Sequence, residues 1–384
     1  MDMRILIITG IFEPEAGGPA TYAATLGSKL TQSGVLVTVL TYSILRRYDF
    51  DAKYPFRLVR VVRGNRVLNR VRLFFEALRL MRDCDIVYTL DWFAAGLPVA
   101  LVANMLRKKY IVRVGGDYLW EQICLGSGAE GVSLADFYAK GLYLRSSYRM
   151  PLSVIRYVLG GAAHVVFNSK EQLALYDRFY ALAPNKTSVI YNAMPRGNFV
   201  DIVRGTSTTE FVYWGRLVPM KNVSALVRAF AMARISPSYT LTIIGDGPDW
   251  THLQKLVHDL HIEHRVQMLP GMPQRDALLQ VKDARAFVLP SWTDISPNQV
   301  FEAMVIGLPV LVTQENYLPI RDQLPEMLDP RSVEDISHKL EMLVDEGKYR
   351  EFVMRFNRIS FEHNWEAVVR EHQQLFAQIA GEVS

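Results

Sequence analysis

Runs of Val and Ile that are the length of a single strand alternate with segments of helical periodicity along nearly the whole chain, and no other feature limits the fold so sharply. RILIIT, VLVTVLT, FRLVRVV, DIVYTL and KYIVRVG are apolar on consecutive positions, as strands covered on both faces are. Between the first two, TYAATLGSKLTQSG carries apolar residues at helical spacing and stops at Gly34, a typical helix exit. Strand and helix in alternation predict parallel sheets wound with helices, an α/β fold. After AAHVVFNS and TSVIYNAMP a polar stretch intervenes, RGNFVDIVRGTSTTE, and the alternation restarts with FVYWGRL, YTLTIIGDGP, RVQMLPG, ARAFVLPS and LPVLVT. The restart predicts two doubly wound, Rossmann-like domains facing a cleft. We place them at 1–198 and 199–358, followed by an amphipathic helix within 359–384, with Trp365, Val368, Val369, Phe376 and Ile379 on its apolar face. That helix packs back on the N-terminal domain or docks on the other.

The 384 residues suffice for two hydrophobic cores. Two cysteines, Cys84 and Cys124, are too few for a disulfide framework and point to a reducing compartment, the cytoplasm. The opening MDMRILIITG lacks the pattern of an export signal, and the longest apolar stretch, Ala94 to Leu106, is too short for a membrane span. Net charge is only +4, but the segment from Arg46 to Arg82 is strongly basic and is opposed by Asp49, Asp51 and Glu76 alone. A second stretch mixes Lys140, Arg145, Arg149 and Arg156 with tyrosines and leucines. Cations beside apolar groups suit an anionic membrane surface, and equally a solvated or substrate-facing patch. No helix-turn-helix, zinc-finger or RNA-binding signature accompanies the charge, so nucleic acid is not expected.

Ligands of open α/β sheets bind beyond the carboxyl ends of the strands. The informative residues should therefore follow strands. In FVYWGRLVPMKN, Arg216 and Lys221 lie after one, placed to converge on a diphosphate, Arg through its fork and Lys as a point charge. IIGDGP puts Gly245 and Gly247 at a tight turn, for which structure alone is sufficient reason. In PSWTDISPNQVFEAM, Ser296 fits an N-cap, Pro297 the first helical position and Gln299 the third residue after the cap. The N–H groups of Asn298 and Gln299 would then offer an anion the positive end of a helix. Asp294 precedes that helix and Glu302 lies about 9 Å along its axis from the cap. The spacing fits an inverting glycosidase, or one carboxylate at each end of a nucleotide sugar.

GRLVPMKN, IIGDGP and PSWTDISPNQVFEAMVIGLPVLVT, in this order, resemble the donor-binding half of the large retaining glycosyltransferase family with the GT-B fold, its group-one or family-four branch. The resemblance extends to MRILIITGIFEPEAGGPATY, HVVFNS, IYNAMP and NWEAVV, and so covers nearly the whole chain. It implies a hexosyltransferase that uses a nucleoside diphosphate sugar and a glycan or polyprenyl-linked acceptor, and the basic and aromatic segments suggest work as a peripheral protein on the inner face of the cytoplasmic membrane, in polysaccharide or lipopolysaccharide assembly. It implies no metal or other cofactor.

Carried over to this chain, the resemblance puts Arg216 and Lys221 on the diphosphate and Glu302 on the ribose. Asp294 falls where the family has a glutamate near the reacting carbon, a shorter side chain here. Ser296 and Pro297 stand where many members have Phe-Gly, and Pro297 has no N–H to offer the sugar. Gly17 and Gly18 match the loop that nears the diphosphate, and Asp117 is the substitute for a histidine after the IVRV strand, with a plain helix-capping role as its alternative. The leaving diphosphate would itself deprotonate the acceptor. A sugar-nucleotide-binding or scaffold protein without turnover, and an epimerase on the same architecture, are the competing readings.

Overall fold

The computed structural model describes residues 3–381 apart from 16, 91, 94, 127–130, 196–198, 200, 206 and 207, and the side chain of Arg66. The chain divides into two compact units, one of residues 1–119, 141–192 and 365–384, the other of 120–140 and 193–364.

In the first unit, β1 (Arg4–Thr9), α1 (Gly18–Gln32), β2 (Leu36–Ser43), β3 (Arg57–Val62), α2 (Arg66–Met81), β4 (Ile86–Thr89), α3 (Gly96–Leu106) and β5 (Tyr110–Val114) follow in order. α4 (Tyr118–Leu125) leads out to the second unit, which contains α5 (Leu134–Ala139). The first unit resumes with α6 (Arg149–Gly161), β6 (His164–Phe167), α7 (Lys170–Tyr180) and β7 (Thr187–Val189). The strands pair in parallel in the order β3-β2-β1-β4-β5-β6-β7, with Ile7 opposite Val39 on one side and Tyr88 on the other. Both faces of β1 and β4 are buried, which is why their sequences run apolar without alternation. α1 returns the chain in one direction across the sheet and α2, α3 and α6 in the other. Right-handed crossovers therefore put α1 on one face and the other three together on the opposite face. α1 ends as expected, with Gly34 in the left-handed region at φ +89°.

The second unit is built from β8 (Glu210–Trp214), α8 (Val223–Met232), β9 (Thr240–Ile244), α9 (Trp250–Asp259), β10 (Val266–Leu269), α10 (Gln274–Val281), β11 (Ala286–Leu289), α11 (Asn298–Val305), β12 (Val310–Thr313), β13 (Met327–Leu328), α12 (Val333–Val344) and α13 (Glu346–Phe356). Its sheet, also parallel, has the order β10-β9-β8-β11-β12-β13. Phe211, Leu241, Phe287 and Leu311 lie in the middle of the core, all fully buried.

α14 (Trp365–Gly381) belongs to the first unit. Val368, Val369, Phe376 and Ile379 are buried, and Trp365 is half-buried with its ring 5.3 Å from that of Tyr22. His372 hydrogen-bonds the Val368 carbonyl through Nδ1 at 2.7 Å, leaving Nε2 to accept from the Tyr88 hydroxyl at 2.8 Å. This buried network ties the terminal helix to α1 and β4.

Candidate functional site

From β8 the chain winds towards β9 and β10; from β10 it crosses back to β11 and winds the other way. β8 and β11 are neighbours, so the winding reverses between them, and the loops leaving their carboxyl ends flank a topological switch point. Arg216, Lys221, Asp294, Ser296, Asn298 and Gln299 all stand on those two loops or at the start of α11.

Close backbone packing holds the β8 exit in place. Gly215 N donates to the Ile244 carbonyl at 3.0 Å and Leu217 N to the Asp246 carbonyl at 2.8 Å. Gly245 and Gly247 each have φ +156°, and a Cβ on them would stand 1.8 Å from the Gly215 oxygen and 2.1 Å from the Leu217 oxygen. Glycine is needed here for the approach of one turn to the next. Tyr213, fully buried, donates its hydroxyl to the Arg216 carbonyl at 2.9 Å. Burial, and then the negative charge of Asp294, hold that phenol well above its ordinary pKa, so it stays a donor. The Arg216 side chain is exposed, with no ion pair among the described residues.

Lys221 closes a short 3-10 turn, Pro219–Lys221, and Asn222 follows in the left-handed region at φ +54°. Asn222 Nδ2 donates to the carbonyls of Pro290 and Pro330, and Trp292 N donates to the Met220 carbonyl at 3.0 Å. These bonds bring Lys221 to the β11 exit, where its Nζ lies 2.7 Å from Asp294 Oδ1 with both side chains almost entirely buried. The second oxygen, Asp294 Oδ2, is buried without a hydrogen-bond partner, as is Ser296 Oγ.

Glu302, on α11, is 7% exposed. Trp214 Nε1 donates to its Oε2 at 3.1 Å and Gln274 Nε2 to its Oε1. Burial raises its pKa, against the two hydrogen bonds, which lower it. Sequence reasoning missed Trp214 and Gln274. The indole immediately before the Gly-Arg turn was a signal for the first, and no sequence signal marks the second.

The start of α11 corrects one expectation. The helix begins at Asn298, with Pro297 in the cap position and no side-chain cap bond, and Ser296 sits one residue earlier at φ +55°. Ser296 is therefore not the N-cap, and Ser296 and Gln299 form no capping box. Asn298 is exposed at the helix start, and the Gln299 amide nitrogen would stand 3.0 Å from a Cβ placed on Gly215.

Residues 131–136 brace the β11 exit. Leu134 N donates to Thr293 Oγ1 at 2.8 Å, and the Trp292 ring fills the space that a Cβ on Gly131 would occupy. Arg331 bonds Ser133 and Asp136 on this segment and Glu315 at 2.8 Å.

Gly17, Gly18 and Asp117 belong to the first unit. Gly17 precedes α1, where a Cβ would meet Ile11 Cδ1 at 2.6 Å, and Gly18 opens the helix with open space around it. Asp117 is fully buried, and Tyr176 donates its hydroxyl to Oδ2 at 2.7 Å, which gives this carboxylate a structural partner.

Two family models match the chain, one described as "Glycosyl transferases group 1" over residues 199–357 and one as "Glycosyltransferase Family 4" over 16–196. An uncharacterized glycosyltransferase of Methanocaldococcus jannaschii is 26% identical over 201 residues, 50% of this chain and 48% of its own length, so the match spans about half of that relative. A GDP-mannose-dependent alpha-(1-6)-phosphatidylinositol monomannoside mannosyltransferase of Mycolicibacterium smegmatis is 23% identical over 338 residues, 82% of this chain and 81% of its own. The crystal structure of Anabaena HepE in complex with UDP superposes with a TM-score of 0.72 at 14% identity, covering 98% of this chain and all of that one. With two such sheets, a switch point lined by these residues and both family models matched in order, the chain belongs to the group 1, family 4 glycosyltransferases of GT-B fold.

Proposed function

We propose that this protein is a retaining glycosyltransferase that moves a hexose from a nucleoside diphosphate sugar to a glycan or lipid-linked acceptor, in the assembly of cell-surface polysaccharide or lipopolysaccharide at the inner face of the cytoplasmic membrane. The observation that carries this reading is the buried Lys221–Asp294 pair at the switch point, with Arg216 exposed on the adjoining turn. Lys221 is fixed by packing before substrate arrives, and the backbone of Arg216 is held by Tyr213, so two cations carried on one braced turn can neutralise a departing diphosphate. Glu302, with its oxygens held by Trp214 and Gln274, is read as the ribose ligand, and Asp294 Oδ2 as an acceptor for a sugar hydroxyl. HepE is complexed with UDP and the mycobacterial relative uses GDP-mannose, so a nucleotide sugar is supported as the donor class and no base is assigned. Protonation of the leaving diphosphate by the acceptor hydroxyl would make a protein base unnecessary.

The test is release of nucleoside diphosphate that depends on an acceptor, across a panel of nucleotide sugars. Arg216→Ala and Lys221→Ala should each lower kcat roughly a hundredfold or more. Full activity in both variants would refute the site. Because Asp294 is shorter than the glutamate the family has there and Pro297 offers no N–H to the sugar, a nucleotide-binding protein without turnover is the second reading. Tight nucleotide binding with no product from any acceptor would favour it.

A further inference from the structure

The first unit's sheet has a switch point of its own. From β1 the chain winds outwards to β2 and β3, then crosses back to β4 and winds the other way, so the loops leaving β1 and β4 flank the reversal. The β4 exit is tied down on both sides. Leu90 N donates to the Ile8 carbonyl at 2.8 Å, and Trp92, 5% exposed, donates its indole N–H to the Gly116 carbonyl beyond β5 at 3.3 Å. Trp92 also meets Tyr176 edge-on, and Tyr176 holds Asp117. With position 92 fixed against 116, the side chains that follow are brought together. Phe93 and Tyr118 stack, their ring centroids 3.5 Å apart and their planes 15° from parallel, and both are half-buried.

The pair is not closed over as a core pair would be. Phe93 is the only ring partner of Tyr118 among the described residues, and the Tyr118 hydroxyl has no hydrogen bond among them. Arg70 reaches across from α2 and stands over Phe93, its guanidinium carbon 5.3 Å from the ring centre. Its neighbours have polar partners: Arg63 holds Glu15, Arg72 the Val62 carbonyl and Arg79 Glu76. Among the described residues Arg70 has neither an ion pair nor a hydrogen bond.

We propose that this ledge seats the acceptor, and that the acceptor carries an anionic group, phosphate or carboxylate, beside a sugar ring. A pyranose presents C–H groups on the faces of its ring and hydroxyls around the edge. The C–H face is attracted to the negative face of an aromatic ring, and an edge hydroxyl can then meet the polar tip of Tyr118. A guanidinium with no carboxylate of its own offers its fork to an oxyanion. A flat apolar platform with one unpaired cation beside it matches a sugar ring next to a charge better than it matches a neutral glycan. The inference rests on the transfer reading, which leaves the acceptor as a glycan or a lipid-linked sugar, and narrows it to an anionic one.

Binding to the full-length protein is measured by calorimetry, without turnover, for three sets of soluble probes built on one panel of hexoses: short-chain alkyl glycosides, short-chain alkyl diphosphate sugars, and alkyl glycosides of the corresponding uronic acids. Wild type should bind one of the anionic sets roughly tenfold or more tighter than the neutral glycosides, the increment of one charge-assisted contact. Which set does so tells a lipid diphosphate from a glycan carboxylate. Rising salt should shrink the preference in wild type, and Arg70→Gln should erase it. Tyr118→Leu should weaken neutral and anionic probes alike, by roughly fivefold, with thermal melts like wild type's showing that both variants fold. Wild type that binds no anionic probe, or binds the neutral ones as tightly, would overturn the proposal, as would a preference that survives Arg70→Gln. So would weakened binding of free nucleoside diphosphate in either variant, which would place the ledge on the donor. Failure of the transfer reading shows separately, as anionic probes that bind in this Arg70-dependent way and yet release no nucleoside diphosphate from any nucleotide sugar.

Discussion

An ammonium and a carboxylate 2.7 Å apart, with side chains 11% and 7% exposed, have given up most of their hydration, and their mutual attraction roughly offsets that loss only while both are present. Asp294→Ala leaves the Lys221 charge buried without a counterion. It should cost about 3–5 kcal/mol by chemical denaturation. On the functional reading above, a nucleoside diphosphate brings a replacement anion, so the ligand should raise the melting temperature of Asp294→Ala more than that of wild type. An equal or smaller rise would separate Lys221 from the diphosphate. Glu302 gives a second prediction at this scale, through pH. Its folded pKa is raised above 4.5 by burial, so the folded state binds the proton more tightly than the unfolded chain does. The stability that this proton contributes is present at acid pH and lost as pH rises through the folded value. Between pH 4.5 and neutrality, the melting temperature of Glu302→Gln, compared with wild type at each pH, should move in the variant's favour. A constant difference would mean that Trp214 and Gln274 fully offset the burial.

The exits of β8, β9 and β11 act as one element, because each turn is packed on its neighbour's backbone. Gly245→Ala would drive a Cβ to 1.8 Å from the Gly215 oxygen at a φ that side chains rarely adopt. The neighbour is backbone and cannot swing aside, so the loss should be about 2–4 kcal/mol in a denaturant titration. A neutral variant would show that the two turns separate readily. Both turns were legible in the sequence because their glycines and the strands before them are local signals. The start of α11 was not. Asp294 N donates to the Glu315 carbonyl and Tyr317 N to the Asp294 carbonyl, a parallel bridge to Asn316 that sets the direction of the chain shortly before the helix. Within that space Ser296 takes the left-handed turn, Pro297 cannot extend the helix backwards, and a cap that local sequence favours gives way to a contact some twenty residues distant.

At the scale of the molecule, the alternation of strand and helix made both sheets readable, but not the path by which 120–140 leaves the first unit to pack in the second. Nothing in this segment's composition announces it. The contacts that fix it are a backbone N–H of Leu134 on Thr293, a glycine under Trp292, and Arg331 gathering Ser133, Asp136 and Glu315, each pairing residues far apart in sequence. Leu134, Phe137 and Tyr138 are buried, so α5 is more than a surface loop and should open only when the structure beneath it opens. The prediction concerns cooperativity. Under rising denaturant, amide exchange from Phe137 to Ala139 should follow the protection of β8 and β11, not that of β5 and β6, although β5 is the nearest strand in sequence. Thr293→Val removes the acceptor of the Leu134 N–H and should lower protection of α5 by about 1–3 kcal/mol, while the strands of the first unit keep theirs. Thr293→Ser, which retains the hydroxyl, should restore most of it. If α5 exchanges in step with β5 and β6, the brace on the β11 exit is not part of the second unit's cooperative structure, and Asp294 is held by Lys221 and the bridge to Asn316 without help from α5.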